Sequence, residues 1–190
     1  KIGGIVLDNN IVIHHFGNLD KKIFLEKKYR NIQLLRERLE KKEFKEKGED
    51  RIYFELSREL VNINEFDLAI CYLRRAVEIK KDFEYLLGLG GLHILKDELN
   101  DGEKILKMAV ILNHLNSSVH DNLGIIYAKR KEYNKAIRKF ERAIELNPKS
   151  ADAYFNLGQV YREIGKTDKM KRCFNEAIEL NPKYGEKINS

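Results

Sequence analysis

Ser117 to Ser150 reads SSVHDNLGIIYAKRKEYNKAIRKFERAIELNPKS, and its spacing decides the fold. With Ser117 as position 1, Leu123-Gly124, Tyr127, Ala136, Phe140, Ala143 and Pro148 fall at offsets 7, 8, 11, 20, 24, 27 and 32. A shift of 34 residues returns the pattern as Leu157-Gly158, Tyr161, Met170, Phe174, Ala177 and Pro182. Gly124 and Ala136 are small where two helices of one unit must approach closely, and Tyr127 and Phe140 fill the space beside them. Ala143 leaves room for the next unit. Pro148 stops the second helix, because proline lacks the amide donor and clashes with the preceding turn.

Two tandem copies in one register resemble the tetratricopeptide repeat, a helix–turn–helix unit that stacks into a solenoid. Two further units extend the array toward the N-terminus. Residues 50–82 carry Leu56-Ser57, Leu60, Ala69, Leu73 and Ala76 at the signature offsets, and residues 83–116 carry Leu89-Gly90, His93, Gly102, Leu106 and Ala109. Lys81 and His114 stand where proline is expected, and the first unit is one residue short. The predicted fold is therefore all-α: a right-handed solenoid of four units at 50–82, 83–116, 117–150 and 151–184. Ser118-x-x-Asp121 predicts a capping box at the third unit. Thr167 and Lys171 replace Tyr133 and Ile137 on the last unit, polar residues that suit a terminal repeat. Residues 185–190 read as a tail.

Before the array, residues 2–16 (IGGIVLDNNIVIHHF) are β-branched on both sides of Asp8-Asn9-Asn10. That composition predicts a short β-hairpin within 1–19. From Lys21 to Lys47, Leu25, Tyr29, Ile32, Leu35 and Leu39 step along one helical face. The expectation is one long helix across 20–48, capped by Asp20 and ended at Gly48.

A second resemblance lies here. Ile13-His14-His15-Phe16-Gly17-Asn18-Leu19 and Lys28-Tyr29-Arg30-Asn31-Ile32-Gln33-Leu34-Leu35 look like the tail of certain family 2 glycosyltransferases, which continue into tetratricopeptide repeats. The catalytic core of such an enzyme would lie upstream of these residues. His15 matches the tail histidine near the metal and diphosphate, a role it takes only with that core present. The chain opens at Lys1 rather than at a methionine, which fits a piece of a longer protein.

Composition narrows the function. A charged fraction of 35% suits helices with one solvated face, and the net charge of +6 forms no continuous basic stripe. Nucleic acid is thus a minor reading, although Lys129-Arg130-Lys131, Lys135, Arg138, Lys139 and Arg142 gather on the third unit. Cys71 and Cys173 lie far apart inside helical patterns and read as thiols of a reducing, cytoplasmic compartment. No apolar run has the length to span a bilayer. No nucleophile–base pair or phosphate loop is present, and the five histidines lack companion ligands at metal spacing. No catalytic residue, cofactor or metal is expected in the chain itself.

The informative surface is the first-helix face at offsets 5, 9 and 12, which the repeat family turns into a concave groove. Here it reads Phe54-Arg58-Val61, Leu87-Gly91-Ile94, Asp121-Ile125-Ala128 and Phe155-Gln159-Arg162. Asn122 and Asn156 sit at offset 6, where family members hold a bound peptide's backbone. The family's carboxylate clamp for chaperone tails needs Lys and Arg where this chain has Phe54 or Leu87 and Ser118 or Asp152, so that activity is not expected. The resemblance implies a protein or peptide partner in the groove. The context is the C-terminal region of a glycosyltransferase, or alternatively a free-standing scaffold. A homo-oligomer stays open, as does filling of the groove by the chain's own N-terminal segment.

Overall fold

The computed structural model describes residues 18–42 and 48–189. They form ten helices: α1 (Asn18–Glu40), α2 (Glu49–Asn62), α3 (Phe66–Ile79), α4 (Phe83–Leu95), α5 (Leu99–Leu112), α6 (Ser117–Lys129), α7 (Tyr133–Leu146), α8 (Ala151–Glu163), α9 (Thr167–Leu180) and α10 (Lys183–Asn189). Helices α2 to α9 pair as four hairpins, and the second helix of each leans on the first helix of the next. The first helices α4, α6 and α8 also touch one another, so they make the inner layer of a tetratricopeptide-like solenoid.

In the second, third and fourth hairpins the two helices approach closely at offset 8. A Cβ added to Gly90 would meet Leu106 Cγ at 2.5 Å, one on Gly124 would meet Phe140 Cε1 at 2.5 Å, and one on Gly158 would meet Phe174 Cδ1 at 2.5 Å. The hairpin turns share a further feature. Asn64, Asp97, Lys131 and Gly165, all at offset 15, have φ of 64°, 61°, 61° and 70°. The amide after each closes on the carbonyl five residues back: Glu65 to Leu60, Glu98 to His93, Glu132 to Tyr127 and Lys166 to Tyr161, at 2.8–2.9 Å. This left-handed stop satisfies carbonyls that a helix end leaves open. Only Gly165 adopts it without a Cβ penalty, so Lys131→Gly is expected to raise unfolding free energy by up to about 1 kcal/mol in chemical denaturation.

Helix starts rest on local side chains. Asp82 accepts from the Glu84 amide at 2.9 Å, Asn116 from Ser118 at 2.9 Å and Ser150 from Ala153 at 3.3 Å. This corrects the capping box expected at Ser118. Asn116 is the cap, and Asp121 is buried on the inner face instead.

At the N-terminal end, α1 takes the place of a preceding unit's second helix against α2. Ile32 and Leu35 join Ile52 and Leu56 in one core, and Glu59 receives Lys28 at 2.8 Å and Asn31 at 3.1 Å. Two expectations are corrected here. The helix stops at Glu40, where a turn puts Lys42 at φ 52°, rather than continuing to Lys47. Tyr29 is 58% exposed, because the docking stripe runs Lys28–Ile32–Leu35–Leu39 and Tyr29 stands about 100° off it. The expected hairpin at 2–16 lies outside the described residues, among which there is no strand.

The C-terminal tail is likewise corrected, since residues 183–189 fold as α10. Tyr184 packs its ring 4.6 Å from Phe155 and bonds Asp152 through its hydroxyl. A short segment is held because it covers the last unit's open apolar end, in a cluster with Phe174 and Ala177. Tyr184→Ala is expected to cost about 2–3 kcal/mol in denaturant titration, near the low end for a buried aromatic.

Candidate functional site

The residues expected to line the groove come together on the inner layer, and nearly all of them are buried. Phe54, Val61, Leu87, Gly91, Ile94, Asn122, Ile125, Phe155, Asn156 and Gln159 are buried, Arg58 is half-buried, and Arg162 is exposed. Helical repetition explains the alignment. Each first helix presents offsets 5, 9 and 12 on one side, and stacking the units lays those sides next to one another. Leu87, Ile94 and Ile125 belong to one apolar cluster spanning the second and third units.

At the first-unit end, Phe54 sits 4.8 Å from the Tyr85 ring, with the Arg58 guanidinium 5.9 Å from its own centroid. Arg58 also opens onto a concavity between α1 and α2 lined by Leu34, Leu35 and Arg38. At the other end, Asn156 Nδ2 donates to both oxygens of Asp121, at 3.3 and 3.4 Å. Burial raises the Asp121 carboxyl to about 7 against that bond, and the nearby Asp152 charge adds to the rise. The inner face therefore holds a carboxyl that is partly protonated near neutrality.

The histidines take up packing roles. His93 is buried at offset 11, its Nδ1 2.6 Å from Glu98 Oε2. The third and fourth units place Tyr127 and Tyr161 there, donating to Glu103 at 2.9 Å and Glu141 at 3.4 Å. Asp101 approaches the His93–Glu98 pair within 4.8 Å, but both carboxylates are exposed. His120 reaches the His114 carbonyl at 2.9 Å. His14 and His15 lie outside the described residues.

Ion pairing absorbs much of the basic cluster on the third unit. Lys129 meets Asp97 at 2.8 Å, Arg130 pairs with Glu103, Lys135 pairs with Glu132, and Arg142 meets Glu145 at 2.9 Å. The apolar groove and the Asp121–Asn156 pair thus form the candidate site. The pairing itself escaped sequence reasoning, which read Asp121 as a cap and as one position of the groove face. Its signal was an acid at offset 5 facing Asn156 at offset 6 one unit on.

Among the described residues no helix is long and apolar enough to cross a membrane. The family pattern described as tetratricopeptide repeat matches residues 50–83 and 151–184, and a related pattern described as TPR repeat matches 124–165. No curated protein sequence matches the chain. Among solved structures, the crystal structure of MamA superposes with a TM-score of 0.72 at 23% identity, covering 91% of this chain and 99% of that one. MamA from Desulfovibrio magneticus RS-1 gives 0.69 at 16% identity, covering 89% and 98%. TTC0263, a thermophilic TPR protein of Thermus thermophilus, gives 0.70 at 16% identity, covering 90% and 95%. At these identities the likeness is one of fold.

Proposed function

This chain is a tetratricopeptide-repeat protein, and from that premise we propose that it recognises a protein or peptide in extended conformation along its inner face. The observation that carries the reading is the composition of that face. Leu87, Ile94, Ile125 and Phe155 form an apolar floor, and Asn122 and Asn156 repeat on it one unit apart. Apolar floors provide affinity, while regularly spaced amides suit the regularly spaced carbonyls and amides of an extended backbone. Selection from a displayed random-peptide library tests this. Extended, β-branched sequences are expected to enrich, with at least tenfold weaker binding after the joint change Asn122→Ala and Asn156→Ala in a chain that still folds. No enrichment on the full chain or on one lacking residues 1–16, or enrichment that the double change leaves untouched, overturns it.

The context reading is also kept as a proposal: the C-terminal, acceptor-recruiting region of a family 2 glycosyltransferase, acting in the cytoplasm. Its support is the run from Ile13 to Leu35. Within that run Lys28, Asn31, Ile32 and Leu35 dock α1 on the first repeat. A reading frame with no glycosyltransferase core upstream of Lys1 overturns the context and leaves the groove untouched.

A further inference from the structure

We propose that His93, Glu98 and Asp101 form a binding site for a divalent transition-metal ion, with zinc as the type, at the turn of the second hairpin. The backbone brings the three together. Asp97 adopts φ 61°, the chain reverses, and the Glu98 amide donates to the His93 carbonyl at 2.8 Å. Glu98 therefore lies beside the end of α4, and Asp101 follows in the first turn of α5, on the same side of that helix. His93 is 1% exposed, so packing holds its ring, and its Nδ1 is turned to Glu98 Oε2 at 2.6 Å. One ligand atom from each of the three residues lies within 4.8 Å of the others. Steps of five and then three residues form no metal motif in the sequence, because only the reversal at Asp97 makes them local.

The later units show what ordinarily fills these positions. Offsets 11, 16 and 19 hold Tyr127, Glu132 and Lys135 in the third unit, where Lys135 Nζ lies 5.4 Å from the Tyr127 ring centroid and pairs with Glu132. In the fourth unit Lys169 Nζ lies 5.3 Å from the Tyr161 ring centroid. The third unit thus carries its own cation against the offset-11 ring and the offset-16 carboxylate. The second unit keeps that carboxylate as Glu98, but exchanges the tyrosine for an imidazole and the lysine for Asp101. Both exchanges act in one direction: they remove the built-in ammonium and add two metal donors. Neighbouring lysines are engaged elsewhere, Lys96 with Asp67 and Lys129 with Asp97, each at 2.8 Å. One imidazole nitrogen and two carboxylates balance a divalent charge and suit zinc, whereas calcium and magnesium take oxygen ligands. Zinc bonds of about 2.0–2.2 Å place tetrahedral ligand atoms about 3.4 Å apart, so the widest separation has to close by at most about 1.4 Å. Glu98 and Asp101 are exposed and can make that movement by changing rotamer, while His93 stays fixed. Three protein ligands leave the fourth position to water. The ion ties the end of α4 to the start of α5, next to Ile94 of the inner face.

The test titrates zinc chloride into the full chain, free of tags and stripped with a chelator, and follows it by calorimetry and by melting. One equivalent of zinc is expected to bind through these residues, with a melting temperature that climbs as free zinc exceeds its Kd. Glu98→Gln with Asp101→Asn alters only exposed side chains. It is expected to weaken that binding at least tenfold and to leave the zinc-free melting temperature nearly unchanged. His93→Tyr with Asp101→Lys rebuilds the third unit's arrangement in the second, and its melting temperature is expected to ignore zinc. Should that variant not fold, the exposed pair decides alone. A full chain that binds no zinc overturns the proposal. So does zinc binding that Glu98→Gln with Asp101→Asn leaves at full strength, which assigns the ion to other histidines or to the cysteines. Tighter binding of calcium than of zinc overturns it as well, because an imidazole ligand would not favour calcium.

Discussion

Gly124→Ala is expected to lower the unfolding free energy by about 1–2 kcal/mol, against the usual direction of such a change in a helix. In an exposed helix the substitution stabilises by about 1 kcal/mol, since alanine costs less backbone entropy. Here the added Cβ would stand 2.5 Å from Cε1, 2.6 Å from Cδ1 and 2.9 Å from Cζ of Phe140, a fully buried ring. The ring must move or the α6–α7 hairpin must open, and overpacking of that kind typically costs about 1–3 kcal/mol, its upper part for contacts this short, which outweighs the propensity gain of about 1 kcal/mol. Gly185→Ala in α10 is the control, because nothing lies within 4 Å of its added Cβ. The first unit suggests a rescue: it places Ser57 and Leu73 at the offsets of Gly124 and Phe140. Phe140→Leu beside Gly124→Ser should therefore recover part of the loss seen with Gly124→Ser alone. Denaturant titration of these variants checks the argument, and a stabilised Gly124→Ala would refute the close approach on which the register rests.

What could be read in the sequence was whatever repeats. Gly90, Gly124 and Gly158 and the large residues opposite them recur at fixed offsets, so the hairpins and their order follow from spacing alone. The left-handed turn at offset 15 recurs as well, but as Asn64, Asp97, Lys131 and Gly165. Four different side chains hide one backbone conformation. Features outside the repeat were the least legible. The end of α1 at Glu40 and the exposure of Tyr29 depend on which two turns dock against α2, and the sequence offers several equivalent apolar steps. Residues 183–189 gain their helix from Phe155 and Asp152, which lie about 30 residues earlier in the chain. The groove residues were identified by offset, but their burial was not.

Asp121→Asn is expected to stabilise the protein, and by an amount that depends on pH. Asp121 is enclosed on the inner face, where burial first, then the Asp152 charge, raise its carboxyl from 3.8 to about 7 in spite of the Asn156 bond. Tyr184, whose hydroxyl bonds Asp152, also faces this pair. A folded-state value above the unfolded one means that the native protein binds the proton more tightly. Below about pH 4 both states are protonated and Asp121 contributes no difference. Between about 4 and 7 the unfolded chain ionises while the folded chain resists, and stability drains away with rising pH. Above about 7 the loss is complete, at roughly 4 kcal/mol for a carboxyl raised from 3.8 to about 7. Asparagine keeps an oxygen for Asn156 and carries no charge, so the variant's advantage should be absent near pH 4 and level off above pH 7. Glu103 works in the opposite sense and in another window. Burial raises its carboxyl, but bonds from Lys107, Arg130 and Tyr127 outweigh that and hold it down to about 2, so its contribution is lost only as pH falls below about 4.5. The two groups can therefore be separated by melting each variant from pH 3 to 9. An advantage for Asp121→Asn that is flat across that range would mean that the carboxyl is hydrated, and hence that the inner face is open at the third unit.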